Sequence, residues 1–194
     1  MFSVRFHGRG GQGVVTAAEL LAAAAFSEGR HAQAFPSFGS ERMGAPVMSF
    51  CRIDDKTIRT HEPVTEPDAL IVQDPTLLHQ AGLLAGLSGS GCMLVNSPAS
   101  IGDLGLSAEF TGGFRPGRLL VVPATRLALT YLGRPLPGAA MLGGFAALTG
   151  VVSLDSVLAA LAERFSGKVA DGNQAAARAA FAYVMDEQEA LTNA

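Results

Sequence analysis

The sequence predicts an α/β fold: a three-layer domain with a mainly parallel sheet and helices on both faces. Three observations carry this. Short apolar runs alternate with longer helical stretches over most of the chain, the pattern of strands joined by crossover helices. The chain opens on a strand, a glycine turn and a helix in direct succession. No shift in composition divides the 194 residues, so residues 1–194 read as one domain, long enough to bury a substantial core.

The elements follow in order. Phe2-Ser3-Val4-Arg5-Phe6 alternates and reads as the first strand. Gly8-Arg9-Gly10-Gly11-Gln12-Gly13 is the turn. Residues 14–28 form a helix that is apolar almost all round, hence buried on more than one side, with Gly29 as its C-cap. Residues 31–35 are the second strand, and a Gly- and Pro-rich loop runs through 36–46. Residues 47–53 alternate as a strand, Asp54-Asp55-Lys56 turns the chain, and 57–59 is a short strand completing a hairpin. The continuous apolar run 69–72 is a buried central strand. Asp74 N-caps a helix with Pro75 in its first position. Residues 92–95 and 119–122 are further strands around a Gly-rich stretch, 99–117. Helices are expected at 125–132, at 139–152, at 154–165 behind a Ser153 cap and ended by Gly167, and at 171–191. Gly143 and Gly144 lie inside the second of these. Small residues there let another backbone approach closely, each at about 1 kcal/mol against Ala.

Composition narrows the function classes. Charged residues are 16% and hydrophobic ones 48%, with a mean hydropathy of +0.30; soluble domains usually carry about 25% charge. Such a surface reads as that of a subunit buried against partners, with an Ala- and Gly-rich monomer as the alternative. A net charge of −3 without a basic tract does not favour nucleic acid. No run reaches the roughly 18 apolar residues of a membrane span. The N-terminus has neither a basic n-region nor an apolar h-region, so a cytoplasmic location is expected. Cys51 and Cys92 are far apart and read as reduced, buried thiols, whereas an iron–sulfur cluster takes about four cysteines. His7, His31, His61 and His79 show no metal-ligand spacing.

The glycine turn is the candidate site. Strand, turn and helix aim free backbone N–H groups and a positive helix end at an anion. Gly8, Gly10 and Gly13 satisfy G-x-G-x-x-G, but the second strand ends at Gln33-Ala34-Phe35 without the acid that would hold a ribose. A free-standing NAD(P) site is therefore disfavoured and a generic phosphate site is better supported. A tight turn for helix–strand packing needs no ligand and stands beside it. Arg42 sits in the loop after the second strand, on the rim the turn should share, where it could pair with the same phosphate. A solvated or partner-bridged arginine is the alternative. No acid, base and nucleophile assemble, so a self-contained enzyme is not expected.

GRGGQGVVTAAELLAAAAFSEG running into HAQAFPSFGSERMGAPVMSFCRI closely resembles the gamma subunit, or gamma domain, of 2-oxoacid:ferredoxin oxidoreductases. EPDALIVQDPTLL, VNSP and MLGGFAALTG fit the same family in order, so the resemblance spans nearly the whole chain. The AFPSFGSERMGAP loop is more similar to the pyruvate, branched-chain and aryl-2-oxoacid (phenylglyoxylate-like) members than to the 2-oxoglutarate members. The resemblance implies a Rossmann-like domain inside a complex that oxidatively decarboxylates a 2-oxoacid to an acyl-CoA, passing electrons to ferredoxin or, through a flavin subunit, to NAD. Alpha and beta subunits would hold thiamine diphosphate and Mg. A ferredoxin-like delta subunit would carry 4Fe-4S clusters, and this chain would bind no cofactor alone. It also implies that the gamma domain lies where coenzyme A enters. CoA phosphates would then meet Gly8, Arg9, Gly10, Gly11, Gln12, Gly13, Ser40 and Arg42. Glu41 departs from the Lys-Lys pair of some single-chain relatives. The small subunit of an indolepyruvate-type oxidoreductase and a ligand-free scaffold are the rival readings.

Overall fold

The computed structural model describes residues 1–37 and 43–192. Six strands form one sheet: β1 (Phe2–Arg9), β2 (His31–Pro36), β3 (Pro46–Asp54), β4 (Ala69–Val72), β5 (Cys92–Asn96) and β6 (Leu119–Val122). Their order is β2-β3-β1-β4-β5-β6. The pairs β1–β4, β4–β5 and β5–β6 are parallel, while β3 runs antiparallel to both β1 and β2. Only β3 opposes the rest, so the mainly parallel α/β sheet holds. The helices are α1 (Val14–Ser27), α2 (Ala108–Gly112), α3 (Ala124–Leu132), α4 (Gly138–Thr149), α5 (Leu154–Arg164) and α6 (Gly167–Thr192).

The two faces are covered unequally. On one, α1, α4 and α6 pack on the sheet over Val4, Phe6, Ile71 and Leu94, all fully buried, and α5 packs on those helices. α4 sits between sheet and α6, with Met141, Leu142 and Phe145 at zero exposure. That burial on two sides is why α4 has no polar stripe. On the other face Leu70, Val72, Met93 and Val95 are covered by one-turn 3-10 segments at Pro75–Leu77 and Ile101–Leu104, by α2, and by Leu78 and Leu83. α1 closes as the Gly29 reading requires. Gly29 N donates to Phe26 O and Arg30 N to Ala25 O, the paired bonds of a left-handed glycine stop.

Three expectations are corrected. Residues 57–59 form no strand, because both edges of β3 are taken by β1 and β2. Asp74 does cap its segment, accepting from Thr76 N at 3.0 Å, but only a single 3-10 turn follows. The carbonyls of Leu83 and Ala85 turn to the Arg5 guanidinium instead of lying along a helix axis. The last helix begins at Gly167, so that glycine opens α6 and does not end α5. Among the described residues no helix is long and apolar enough to cross a membrane.

Candidate functional site

β1 carries the chain through Gly8 and Arg9 to the rim of the sheet, and the turn delivers it into α1 at Gly13. Gly8 is a packing position: a Cβ there would stand 2.6 Å from Val14 Cγ2. Gly11 and Gly13 have φ of 93° and 73°, a region costly for any side chain, which is what lets the chain reverse. Gly13 gives α1 no side-chain cap. Among the described residues, the N–H groups of Val14, Val15 and Thr16 find no backbone acceptor, so the helix start is a ready anion-facing end.

The rim shared with the 36–46 loop is real in its flank. Gly10 N donates to Ala45 O at 2.9 Å, and Gly44 N donates to Gly10 O at 3.1 Å. Met43 bridges to Gly10 and lies over the turn, 86% exposed. Ser40 and Arg42 lie outside the described residues.

Arg9 and Gln12 are tied into the turn itself. Arg9 donates from Nε to Asp74 Oδ2 at 3.1 Å, from Nη1 to Gly44 O at 3.1 Å and from Nη2 to Thr76 Oγ1 at 2.8 Å. Gln12 Oε1 accepts from Arg9 N, and Gln12 Nε2 donates to Asp74 Oδ2. Burial alone would raise the Asp74 carboxyl. Hydrogen bonds from Thr76 and Gln12, with the nearby Arg9 charge, outweigh that and hold it below the ordinary carboxylate range. Asp74 therefore knots β4's end to the turn. Nothing in the sequence pattern marks it as more than a cap.

Behind the turn, Arg5 Nε donates to His7 Nε2 at 3.0 Å, which fixes a neutral ring with its proton on Nδ1. Burial first, then the Arg5 charge, pushes His7 from 6.5 down to about 4. A ring depressed in the folded state disfavours protonation. Its stability contribution is complete above about 6.5 and is lost as pH falls through about 4. The expected loss is roughly 3 kcal/mol. His7→Gln keeps an acceptor for Arg5 and should flatten that slope, read as urea midpoints at pH 7.5 and 4.5. An unchanged slope would remove His7 as its source.

The sheet order explains the missing ribose acid. β3 lies between β1 and β2, so the end of β2 does not adjoin the glycine turn as a dinucleotide fingerprint requires. Cys51, Val4, Ala69 and Cys92 form one row across β3, β1, β4 and β5. The two thiols are three strand spacings apart, roughly 14 Å. They are buried, with Cys51 pushed well up and Cys92 to about 11. These residues do not fit an iron–sulfur cluster. Among the described residues no group of three or more His, Cys, Asp or Glu could hold a metal.

Two cavities were not legible in the sequence. One of about 550 Å³ has Arg5, His7, Met48 and Gln80 in its lining. Another of about 470 Å³ opens at Gly11 to Gly13 and is also lined by Arg134, Arg164 and Lys168. Those cations come from separate segments, and no local pattern links them.

Residues 3–183 match the family described as pyruvate ferredoxin/flavodoxin oxidoreductase. The chain is 48% identical over 181 residues to the pyruvate/ketoisovalerate oxidoreductases common subunit gamma of Thermococcus kodakarensis, covering 93% of this chain and 96% of that one. It is 46% identical to pyruvate synthase subunit PorC of Methanocaldococcus jannaschii, with the same coverage of each. The crystal structure of pyruvate oxidoreductase subunit PORC from Thermotoga maritima matches it with a TM-score of 0.79 at 36% identity, covering 93% of this chain and 95% of that one.

Proposed function

This chain belongs to the pyruvate ferredoxin/flavodoxin oxidoreductase family, and from that premise we propose that it is the gamma subunit of a complex converting a 2-oxoacid and CoA to acyl-CoA and carbon dioxide. It is structural and CoA-proximal, and it is not catalytic alone. Thiamine diphosphate, Mg and 4Fe-4S clusters belong to alpha, beta and ferredoxin-like delta partners. A flavin subunit serves where NAD is the acceptor, and the complex is cytoplasmic. Likeness to pyruvate and ketoisovalerate subunits supports a pyruvate or branched-chain substrate over an indolepyruvate-type complex.

The observation that carries the CoA reading is the pinning of residues 43–45 to Gly10. It brings Met43, the residue next in sequence after Arg42, to the turn that leads into the uncapped start of α1. Backbone N–H groups from Gly11 onward orient a CoA phosphate. Arg42 adds a fixed positive charge there. Arg9 and Gln12 hold the turn's shape through Asp74 while its backbone meets the ligand.

The test uses the assembled complex. Arg42→Ala should raise the apparent KM for CoA about tenfold, a loss of about 1.4 kcal/mol. The kcat and the thiamine occupancy should stay as they were. A CoA dependence identical to the parent complex would take Arg42 out of the site and favour a ligand-free scaffold.

A further inference from the structure

The short helical segments on the second sheet face cluster over β4, β5 and β6. Beside them, Arg5 and His7 of β1 stand opposite Phe50 and Met48 of β3 on that same face, while Val4 and Phe6 turn to the helices of the first. Sheets of this class normally have both faces covered. Here the 550 Å³ groove separates β1 and β3 from the turns around Gln80. Pro36 and Pro46 are exposed on one rim, Gln80 and Ala81 on the other, and Val47 and Met48 are half-buried between them.

The groove is charged with one sign. Arg5 lines it and no Asp or Glu does. Arg5 is 5% exposed, and among the described residues it makes no ion pair with a carboxylate. Its partners are the carbonyls of Val64, Leu83 and Ala85 and the neutral His7 ring, none of which carries the opposite charge. Those four bonds leave one of its five N–H donors, the second on Nη1, without an acceptor among the described residues. His7 also lines the groove, and its Nδ1–H has no acceptor among them either. A buried cation facing only dipoles is poorly compensated. A carboxylate beside it would take charge-assisted hydrogen bonds from both donors.

We propose that this groove is the socket for an extended segment of another subunit, seated by an Asp or Glu whose carboxylate meets the Arg5 guanidinium and the His7 Nδ1–H. The inference rests on reading this chain as one subunit of a complex, and adds which face docks and by what chemistry. Val47 and Met48 take the apolar side chains that flank the acid. None of residues 8–13 lines the groove, so the socket stands apart from the glycine turn.

The full chain would be co-expressed with the other subunits and purified through a tag on one of them. Amide exchange at residues 47–48 and 80–83 should be at least tenfold slower in the complex than in the free chain. Gln80 is exposed on the rim, so its replacement leaves the fold intact, checked by a parent-like urea midpoint. Gln80→Glu, nearly the same shape with a negative charge, should weaken assembly about tenfold; Gln80→Lys should keep it or tighten it. That difference in sign is not expected of a merely steric contact. If the parent chain joins no complex, the subunit reading falls and this inference with it. If the chain co-purifies but its groove amides do not slow, or if the Glu and Lys variants assemble alike, the inference alone is overturned. Slowing that appears in the free chain as its concentration rises would assign the groove to a second copy and overturn it too.

Discussion

Gly143→Ala is expected to cost the domain about 3 kcal/mol or more. A Cβ at Gly143 would lie 2.0 Å from Ala177 O, 2.6 Å from its carbonyl carbon and 2.7 Å from its Cα. All three are backbone atoms of α6, so no rotamer can yield; one helix must move. α4 cannot retreat, because its other side is packed on the sheet at Leu94. The gain of about 1 kcal/mol in helix propensity is too small to offset this. Gly144→Ala is the control. Its Cβ would meet Leu94 Cδ2 at 3.1 Å and Val184 Cγ2 at 3.2 Å, side-chain atoms that can shift. Its urea midpoint should stay near that of the parent, with Gly143→Ala far below. Equal midpoints would refute the close helix contact.

Those glycines show where sequence reading stops. Small residues inside the 139–152 helix announce a close approach, but not which of two adjacent glycines meets backbone. Local signals were strong elsewhere. The run at residues 119–122 matches β6, and strand, turn and helix follow one another at the N-terminus as read. Register and partner choice were not local. The alternation of 47–53 marks a strand without saying that it inserts between β1 and β2. That insertion removes 57–59 from the sheet and separates the end of β2 from the glycine turn. At the candidate site, Gly11 and Gly13 announce the reversal, and Gly10 its place on the rim. The knot on Asp74 and the cation-lined cleft needed residues dozens of positions away.

Arg5 is the plainest case, and its replacement carries the other large effect. Alternation along Phe2-Ser3-Val4-Arg5-Phe6 places Arg5 on the polar side of the strand, yet it is 5% exposed. Its Nη2 donates to Leu83 O at 2.6 Å and Ala85 O at 2.7 Å, its Nη1 to Val64 O at 3.3 Å and its Nε to His7. Burial lowers its pKa from the usual value, but a guanidinium so placed keeps its charge. It is the tie between β1 and the thin layer of turns over that face. Swapping a whole buried polar set for apolar groups is often neutral, but here the partners are backbone carbonyls and remain. Arg5→Met should therefore cost about 3–5 kcal/mol. Arg5→Lys, whose ammonium could still serve the Leu83 and Ala85 carbonyls, should cost less. Two further readouts separate this from simple loss of packing. Amide exchange at residues 83–85 should quicken in Arg5→Met. Burial, the larger cause of the His7 depression, stays, but the His7 titration should still move up from about 4 because the cation beside it is gone. If the Met variant held the parent's midpoint with His7 still titrating near 4, Arg5 would be neither the tie nor a source of the shift.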